Sequence, residues 1–359
     1  MDGIDVALLE TDGENHLRCG PSALHFFNPP EQALLRRAIE AAAGLSDRAA
    51  RPGVIGEAER LLTDLHAVAV RELFAAHAID PASIDVVGFH GQTLLHRPER
   101  GLTIQIGDGA ALAKALDLPV VYDFRAADVA AGGQGAPLVP VYHRALARSV
   151  TRDHPIAVLN IGGVANITYI DHLPDPFACD TGPGNALIDD FLRERTGHAY
   201  DAAGVVAAQG EVDEAAVARV LAHPFFAQKP PKSLDRNAFR EFAAQAANLS
   251  GKSVEDGAAT LTAITAASVA AIVKLLPDAP KSWIVTGGGA HNVTLVRMLA
   301  ARLAPATLET ADMAGWNADA IEAQAFAYLA VRRLRDLPIT FPATTGVTKP
   351  LCGGVLVRP

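Results

Sequence analysis

The chain has 359 residues, of which half are hydrophobic and a fifth are charged, and its formal net charge is −9. This length exceeds that of a typical single core, so we expect two domains. The negative charge leaves no basic stripe to neutralise phosphates, which argues against a nucleic-acid partner. Cys19, Cys179 and Cys352 lie far apart without a CxxC pair, which argues against a disulfide framework and a zinc site.

Neither a signal peptide nor a membrane span is visible in the sequence. The alanine-rich segment 258–276 comes nearest, but threonine and serine residues interrupt it and Lys274 lies near its end. We interpret this segment as a buried helix. The sequence therefore predicts a soluble, cytoplasmic protein with no membrane partner.

Apolar strands alternate with amphipathic helices along most of the chain, which predicts an α/β architecture. In the first half we expect strands at 4–9, 84–89, 102–106 and 120–124, and helices at 31–43 and 54–77. The pair Asp12-Gly13 is typical of a hairpin turn. The stretch 125–137 is predicted to be a loop.

The second half begins with two apolar runs at 156–161 and 164–170, which are joined by Gly162-Gly163 and predict another hairpin. A further strand is expected at 282–286 and a helix at about 318–334. The glycine-rich run 132–137 is the strongest break between the halves. We therefore predict an N-terminal domain at 1–135 and a C-terminal domain at 136–359.

Asp180 precedes a glycine-rich turn and the helical pattern that starts at residue 186. We expect it on a loop just before a helix N-terminus, where backbone N–H groups favour anions. A carboxylate among such groups is a candidate general base. The alternative is an aspartate that only caps the turn.

Three glycine turns follow apolar strands in the second half, at 162–163, 182–184 and 287–289. Glycine lets the backbone approach a phosphate closely and present several N–H donors to it. Together the turns favour a nucleotide site, whereas each alone could be a tight turn without a ligand.

Other familiar sites are not supported. Gly251-Lys252-Ser253 lacks the earlier glycine and the preceding strand of a P-loop, and Asn292 stands where a dinucleotide fingerprint has its third glycine. His90 and His96 lack helical spacing and an obvious third metal ligand. No GxSxG motif is present, which disfavours a serine hydrolase of that type.

Polar side chains also follow strands in the first half. They are Gln92, Thr93, Asp108, Asp123, Arg125 and Asp128. Ligands of open α/β sheets bind beyond strand ends, and this set suits a sugar acid whose carboxylate an arginine could hold. Turn capping by the aspartates and a surface ion pair for Arg125 are the alternatives. Glu322, near the start of a helix, either holds a sugar hydroxyl or stabilises the helix dipole.

These motifs occur in a characteristic order: DGID at 2–5, HGQT at 90–93, QIGD at 105–108, DFR at 123–125, AGGQGAPL at 131–138, NIGGVANI at 160–167, DTGPGN at 180–185 and GGGAHN at 287–292. On them the chain resembles the anhydro-N-acetylmuramic acid kinases, which belong to the actin-like ATPase and sugar-kinase superfamily. The resemblance spans nearly the whole chain.

The resemblance implies two actin-like, ribonuclease H-like domains around a cleft, with ATP and Mg²⁺ as cofactors and a small anhydro-amino-sugar as the ligand. It implies a kinase of peptidoglycan recycling that opens the 1,6-anhydro ring with water and phosphorylates O6. Asp180 matches the catalytic base, and Gln92, Thr93, Arg125 and Glu322 match substrate-contacting positions. The implied nucleotide-binding residues are Asp2, Gly3, Asn160, Gly162, Gly163, Gly182, Gly184, Gly287, Gly288, Gly289 and Asn292. The metal ligands and the oligomeric state stay open, with a homodimer as one option.

One departure concerns the first residues. In the family a strand and a Gly-Thr-Ser phosphate loop precede the Asp2-Gly3 pair, whereas Met1 stands directly before Asp2 here. We expect a natural protein that is longer by about 10 to 20 residues, which is one strand and its turn. The alternatives are an inactive truncated kinase and a non-catalytic sugar or nucleotide sensor.

Overall fold

A computed structural model of the chain describes residues 3–173 and 175–359, without the side chains of residues 236–238. The chain forms two units. The first runs up to Ser149 and resumes from Asp319 to Pro359, and the second is Val150–Ala318. This division differs from the predicted one, because residues 136–149 and 319–359 belong to the first unit. A linear reading of the sequence could not reveal that the C-terminal segment returns.

The first unit contains seven strands and seven helices among its described residues. The elements are β1 (Gly3–Thr11), β2 (Leu17–Phe26), α1 (Pro29–Ala42), α2 (Val54–Ala76), β3 (Val87–Phe89), β4 (Gln92–Arg97), β5 (Leu102–Ile106), α3 (Gly109–Leu116), β6 (Val120–Tyr122), α4 (Ala126–Ala130), α5 (Pro140–Arg148) and, after the second unit, α11 (Ile321–Leu334), α12 (Pro342–Thr345) and β12 (Val355–Val357).

The strands of the first unit form three small sheets. β1 and β2 make an antiparallel hairpin, closed by Asp12, whose Oδ1 accepts the N–H groups of residues 14–16. β3 runs parallel to β6, which pairs with β12 on its other edge. β4 and β5 make a second antiparallel hairpin. The predicted α/β architecture and the Asp12-Gly13 turn are confirmed.

A cavity of about 790 Å³ separates β1 from β3. All of β1 lines one side, and β3 with its flanking residues lines the other. α11 packs against both strands, and α2 packs against β1 and reaches Phe89 of β3 through His66. The cavity is therefore a slot that has a strand edge on two sides and a helix on the other two.

The second unit is built around one five-stranded sheet. Its elements are β7 (Ile156–Ile161), β8 (Val164–Ile170), β9 (Phe177–Pro183), α6 (Ala186–Thr196), α7 (Glu214–Leu221), α8 (Arg236–Ala246), α9 (Val254–Ile272), β10 (Ser282–Thr286), α10 (Val293–Leu303) and β11 (Thr307–Thr310). The strand order is β11-β10-β7-β8-β9. β10 runs parallel to both of its neighbours, β11 and β7, whereas β8 runs antiparallel to both of its neighbours, β7 and β9.

Helix α9 is the central helix of this unit. Together with the short 3₁₀ turn that follows, it is long and apolar enough to cross a membrane by length and composition. However, residues 257–269 and 272 are buried, and they pack against the β7–β10 sheet and against α6 and α7. The prediction of a buried helix for this segment is confirmed.

Several predicted boundaries in the first unit are wrong. The strand expected at 84–89 begins only at Val87, and the loop expected at 125–137 contains the short helix α4. Gln92 and Thr93 come shortly after β3, as expected, but they are themselves the first residues of another strand, β4. Each error concerns a short element, where pairing with a distant segment outweighs the local pattern.

Candidate functional site

The first two glycine turns of the second unit touch each other. Gly162 and Gly163 close the β7–β8 hairpin, as expected. The Gly184 N–H, just after β9, donates to the Gly163 carbonyl at 3.0 Å, and the Asn185 N–H donates to the Gly162 carbonyl at 2.8 Å. A Cβ on Gly184 would lie 2.2 Å from the Gly162 oxygen, so only glycine permits this approach.

The third turn, Gly287-Gly288-Gly289, joins the same place. It follows β10, which is the parallel neighbour of β7. Gly287 has φ +75°, and a Cβ there would lie 2.4 Å from Oδ1 of Asn160, the penultimate residue of β7. Asn185 donates through Nδ2 to the Ile161 carbonyl at 3.4 Å and faces Gly288. The three turns that lie far apart in sequence thus meet at one edge of the sheet.

The predicted nucleotide-binding residues differ in exposure. Gly163 and Gly288 are exposed, and Asn160, Gly162 and Gly287 are half-buried. Gly182 is buried, and a Cβ there would lie 2.6 Å from Ser268. Packing against α9 therefore accounts for a glycine at position 182 without any ligand.

Asn292 has a clear structural task. Its side chain is buried and caps α10, because Oδ1 accepts the Leu295 N–H at 2.9 Å. A Cβ on Gly204 would lie 2.1 Å from the same oxygen. Its Oδ1 is thus already engaged within the unit.

The first two predicted nucleotide-binding residues lie at the start of the chain. Asp2 is outside the described residues. Gly3 begins β1, where a Cβ would lie 2.2 Å from the His25 carbonyl of β2. Close pairing of the two strands is thus sufficient to require glycine at this position.

Asp180 lies inside β9 rather than on a loop, which corrects the prediction. It pairs with Asn166 of β8, and this pairing extends the strand through the glycine-rich segment to Pro183. Asp180 is half-buried, and its Oδ2 accepts the Leu234 N–H at 2.8 Å. Burial raises the pKa of this carboxyl to about 6, while the Leu234 hydrogen bond and the Lys232 charge oppose the rise. A carboxyl with such a pKa can accept a proton near neutral pH.

The four predicted substrate residues of the first unit gather around His90. Its Nδ1 donates to the Gly91 carbonyl at 2.9 Å, and its Nε2 accepts from Arg125 at 3.2 Å. Burial lowers the pKa of His90 to about 3, so the ring is neutral. Glu322 and Gln92 line the same cavity as His90.

Thr93 reaches His90 through Gln105. The Gln105 amide donates to the His90 carbonyl at 3.3 Å and to Thr93 Oγ1 at 3.2 Å. Arg51 holds this strand by donating to the Gln105 carbonyl at 2.9 Å. A smaller cavity of about 190 Å³, lined by Arg51, His90, Gln105 and Asp123 among others, opens beside these groups.

Arg125 is half-buried rather than part of a surface ion pair. It donates to the Gly135 carbonyl at 2.9 Å, and burial lowers its pKa while Glu322 and Asp128 counteract this. Asp128 is buried and accepts from Thr345 at 2.6 Å, whereas Asp108 only caps α3. The capping alternative is therefore confirmed for Asp108.

Sequence reasoning missed His90, Gln105, Lys232 and Leu234. His90 begins the HGQT motif and Gln105 begins the QIGD motif, so their places in these motifs could have indicated a role beside the predicted residues. Lys232 and Leu234 are more than 50 positions from Asp180, and no local pattern connects them. Among residues 3–173 and 175–359, no group of three His, Cys, Asp or Glu side chains could hold a metal ion.

The second unit therefore has an edge where the glycine turns of three strands come together, and β9, which leads to one of them, carries a carboxyl with a raised pKa. The fold defines an α/β protein, and these three turns are its candidate phosphate-binding site.

The comparisons with known proteins specify the family. The family model of anhydro-N-acetylmuramic acid kinase matches residues 1–358. The chain is 59% identical to the anhydro-N-acetylmuramic acid kinase of Rhodopseudomonas palustris BisB18, over 100% of this chain and 97% of that protein. It is 60% identical to that of Azorhizobium caulinodans, over 100% and 96%. The chain belongs to the anhydro-N-acetylmuramic acid kinase family.

A more distant likeness exists among solved structures. Component A of (R)-2-hydroxyglutaryl-CoA dehydratase from Acidaminococcus fermentans is 11% identical, with a TM-score of 0.47 over 92% of this chain and 99% of that one. As a member of its family, the chain is a phosphotransferase, as the sequence predicted.

Proposed function

We propose that the protein opens the 1,6-anhydro ring of N-acetyl-anhydromuramic acid with water and transfers the γ-phosphoryl group of ATP to O6. The products are N-acetylmuramic acid 6-phosphate and ADP. The observation that carries this proposal is the Asp180 carboxyl, which stands two residues before Gly182 on the strand that leads to the glycine turns. We place this reaction in the cytoplasm, in the recycling of peptidoglycan.

Asp180 acts as the general base in this proposal. It takes a proton from water while the water oxygen bonds to the anomeric carbon and the bond from that carbon to O6 breaks. O6 then bonds to the γ-phosphorus as the bond to the ADP oxygen breaks. Because its pKa is about 6, the carboxylate is ionised at neutral pH and can still hold the proton briefly.

The glycine turns are suited to the phosphates of ATP. Phosphoryl transfer depends mainly on positioning and on stabilising charge, which backbone N–H groups supply. Two asparagines link the Gly162-Gly163 hairpin to the Gly287 turn. Asn160 lies against Gly287, and Asn185 lies against Gly288 while it donates to the Ile161 carbonyl. We assign these turns to the nucleotide. Mg²⁺ in such sites is held largely by substrate phosphates, so we name no protein ligand for it.

We assign the group around His90 to the sugar. Arg125 carries a fixed positive charge that suits the carboxylate of a muramic acid, and Glu322, Gln92 and Thr93 can pair with hydroxyl or amide groups. Because the His90 ring is neutral, it keeps Arg125 in place without adding charge.

The first experiment replaces the base. Asp180→Asn should lower the turnover of ATP with anhydro-sugar by about 10²–10⁴-fold, since general base catalysis contributes on that order. ADP binding, measured by calorimetry, should stay within about twofold. The matched control is Asp175→Asn, an exposed aspartate near the start of the same strand. Turnover of Asp180→Asn close to that of the control would show that another group is the base.

We also propose that the slot between β1 and β3 is the place of one more strand, the one that the resemblance implies before Asp2. Among the described residues, β1 pairs only with β2 and β3 only with β6, so both strands turn a free edge to the slot. A strand inserted there would lie about 4.8 Å from each of them. Leu62, Val70 and Leu73 of α2 and Phe326 of α11 line the slot, and these suit an apolar strand buried on both faces.

This second proposal is tested by lengthening the chain. A form that carries an apolar strand and a Gly-Thr-Ser turn before Asp2 should melt at a higher temperature and turn over ATP faster than the 359-residue form. Replacing the added strand by a Gly-Ser segment of equal length is the control. Equal melting temperatures for the two extensions would contradict the proposal.

A further inference from the structure

We propose that Lys232 is a positioning residue for Asp180 and that the loop 230–234 keeps the base in its working orientation. This inference rests on the proposed role of Asp180 as the base.

The loop makes two hydrogen bonds to Asp180, from the residues on either side of Ser233. The Asp180 N–H donates to the Lys232 carbonyl at 3.0 Å, and the Leu234 N–H donates to Asp180 Oδ2 at 2.8 Å. The first bond connects the loop to the backbone of β9, and the second holds one oxygen of the carboxylate. A general base must be oriented toward the proton that it accepts, so these two hydrogen bonds would contribute to the reaction by orienting Asp180.

The Lys232 side chain fixes the loop in turn. Its Nζ donates to the Phe225 carbonyl at 3.0 Å and lies 4.3 Å from the centroid of the Phe225 ring. Phe225 is buried in the apolar core of the second unit, against α6, α7 and α9. Lys232 therefore connects a rigid part of the unit to the loop that holds the base.

The Lys232 ammonium also favours the ionised form of Asp180. Facing the carboxyl are Lys232 and the Leu234 N–H from the loop, and β8 contributes the neutral Asn166 at the paired position. The neighbouring Cys179 thiol does not compete for the ammonium, because burial raises its pKa to about 12. Removal of the ammonium should thus raise the pKa of Asp180.

The experiment compares three variants over a pH range. Lys232→Met removes the charge and the anchor, and Lys232→Arg keeps the charge. Lys229→Met, which removes an exposed lysine just before the loop, is the matched control. For Lys232→Met, the acid limb of the kcat/KM profile should move up by about 0.5–1 pH unit, which lowers the rate below pH 6 by about 3–10-fold. KM for ATP should change little. Lys232→Arg should restore most of the profile, and Lys229→Met should match the unchanged protein.

The outcomes separate the two proposals. If the acid limb of the kcat/KM profile of Lys232→Met lies at the same pH as that of the unchanged protein, the inference is overturned. This holds when the rate is unchanged, and also when the rate falls equally at every pH, as a purely structural defect would cause. An Asp180→Asn variant that retains its rate and its acid limb overturns the role of Asp180 instead. If Lys232→Met fails to bind ADP, Lys232→Arg is compared with Lys229→Met instead. An acid limb and a rate in Lys232→Arg that equal those of Lys229→Met support the requirement for a positive charge at position 232. A lower rate in Lys232→Arg without a shift of the acid limb contradicts that requirement.

Discussion

Each unit contains an antiparallel pair of strands and a parallel pair, and the units differ in how these two pairs are joined. In the second unit, the antiparallel pair β9-β8 is joined to the parallel pair β10-β11 by β7. In the first unit, the antiparallel pair β2-β1 and the parallel pair β3-β6 belong to separate sheets, and the slot lies between them. The place that β7 fills in one unit is thus an open cavity in the other.

This difference shows what a central strand contributes. β7 is almost entirely buried, pairs with strands on both edges, and ends at Asn160 and the Gly162-Gly163 hairpin. It therefore both unites its sheet and presents the turn that we assign to phosphate. The side chains that we assign to the sugar in the first unit lie on β4, just before α4 and on α11, so their positions do not depend on a central strand.

The largest effect is expected where the turns of the second unit touch. Gly184→Ala should destabilise the protein by about 3 kcal/mol and abolish ADP binding, since its Cβ would overlap the Gly162 carbonyl. Urea unfolding and calorimetry measure the two effects. Gly162→Ala is the control for stability, because its Cβ would meet nothing closer than 3.9 Å. Equal unfolding of both variants would show that the turns are not tightly packed.

A pair of substitutions on α11 tests the slot. Ala327 lines the cavity, whereas Ala330 is fully buried on the same helix. Ala330→Leu should cost about 1–3 kcal/mol through overpacking, and Ala327→Leu should cost less than about 0.5 kcal/mol because the cavity accepts the larger side chain. In a form lengthened by the proposed strand, the cost of Ala327→Leu should rise to that of Ala330→Leu. Equal costs in the 359-residue form would mean that no usable slot exists.

The carboxyl of Asp180 should make stability depend on pH. Its folded pKa of about 6 lies above the unfolded value of 3.8, so folding favours the protonated form, and stability is lost as pH rises through 6. Asp180→Asn should therefore stabilise the protein by about 1–2 kcal/mol at pH 8 and by almost nothing at pH 4. Melting curves at the two pH values measure the difference. If the variant is less stable than the parent at pH 8, the hydrogen bond from Leu234 and the charge of Lys232 fully offset the cost of burying the ionised Asp180 carboxylate.

The smallest effect concerns a helix cap. Asn292→Ala should cost about 1 kcal/mol, as the loss of an N-cap does, and Asp108→Ala in the first unit is the matched control for α3. If Asn292 also binds the nucleotide, its variant alone should weaken ADP binding more than twofold. An unchanged ADP affinity would restrict Asn292 to its structural task.

Much of the fold follows from local sequence. The strands β5, β7, β8 and β10 have the predicted bounds, because each is a mainly apolar run with a glycine or an aspartate directly after it. The short strand β3 and the short helix α4 were not resolved by the same reasoning, since three to five residues contain too little periodicity to decide. The predicted domain boundary differs from the observed division because α11 packs against β1, although Ile321 and Thr11 are far apart in the chain.

The sequence by itself determined that Asp180, the three glycine turns and the residues near His90 stand at the ends of strands or within short motifs, since chemical type and spacing are local properties. Only the tertiary structure decided that Asp180 belongs to β9, that Leu234 and Lys232 hold it, and that the turns of β7, β9 and β10 meet. It also showed that β1 and β3 have a slot between them. The physical reason is that strand pairing and burial depend on residues distant in the chain, and these alone set the pKa of Asp180 and the closeness of the turns.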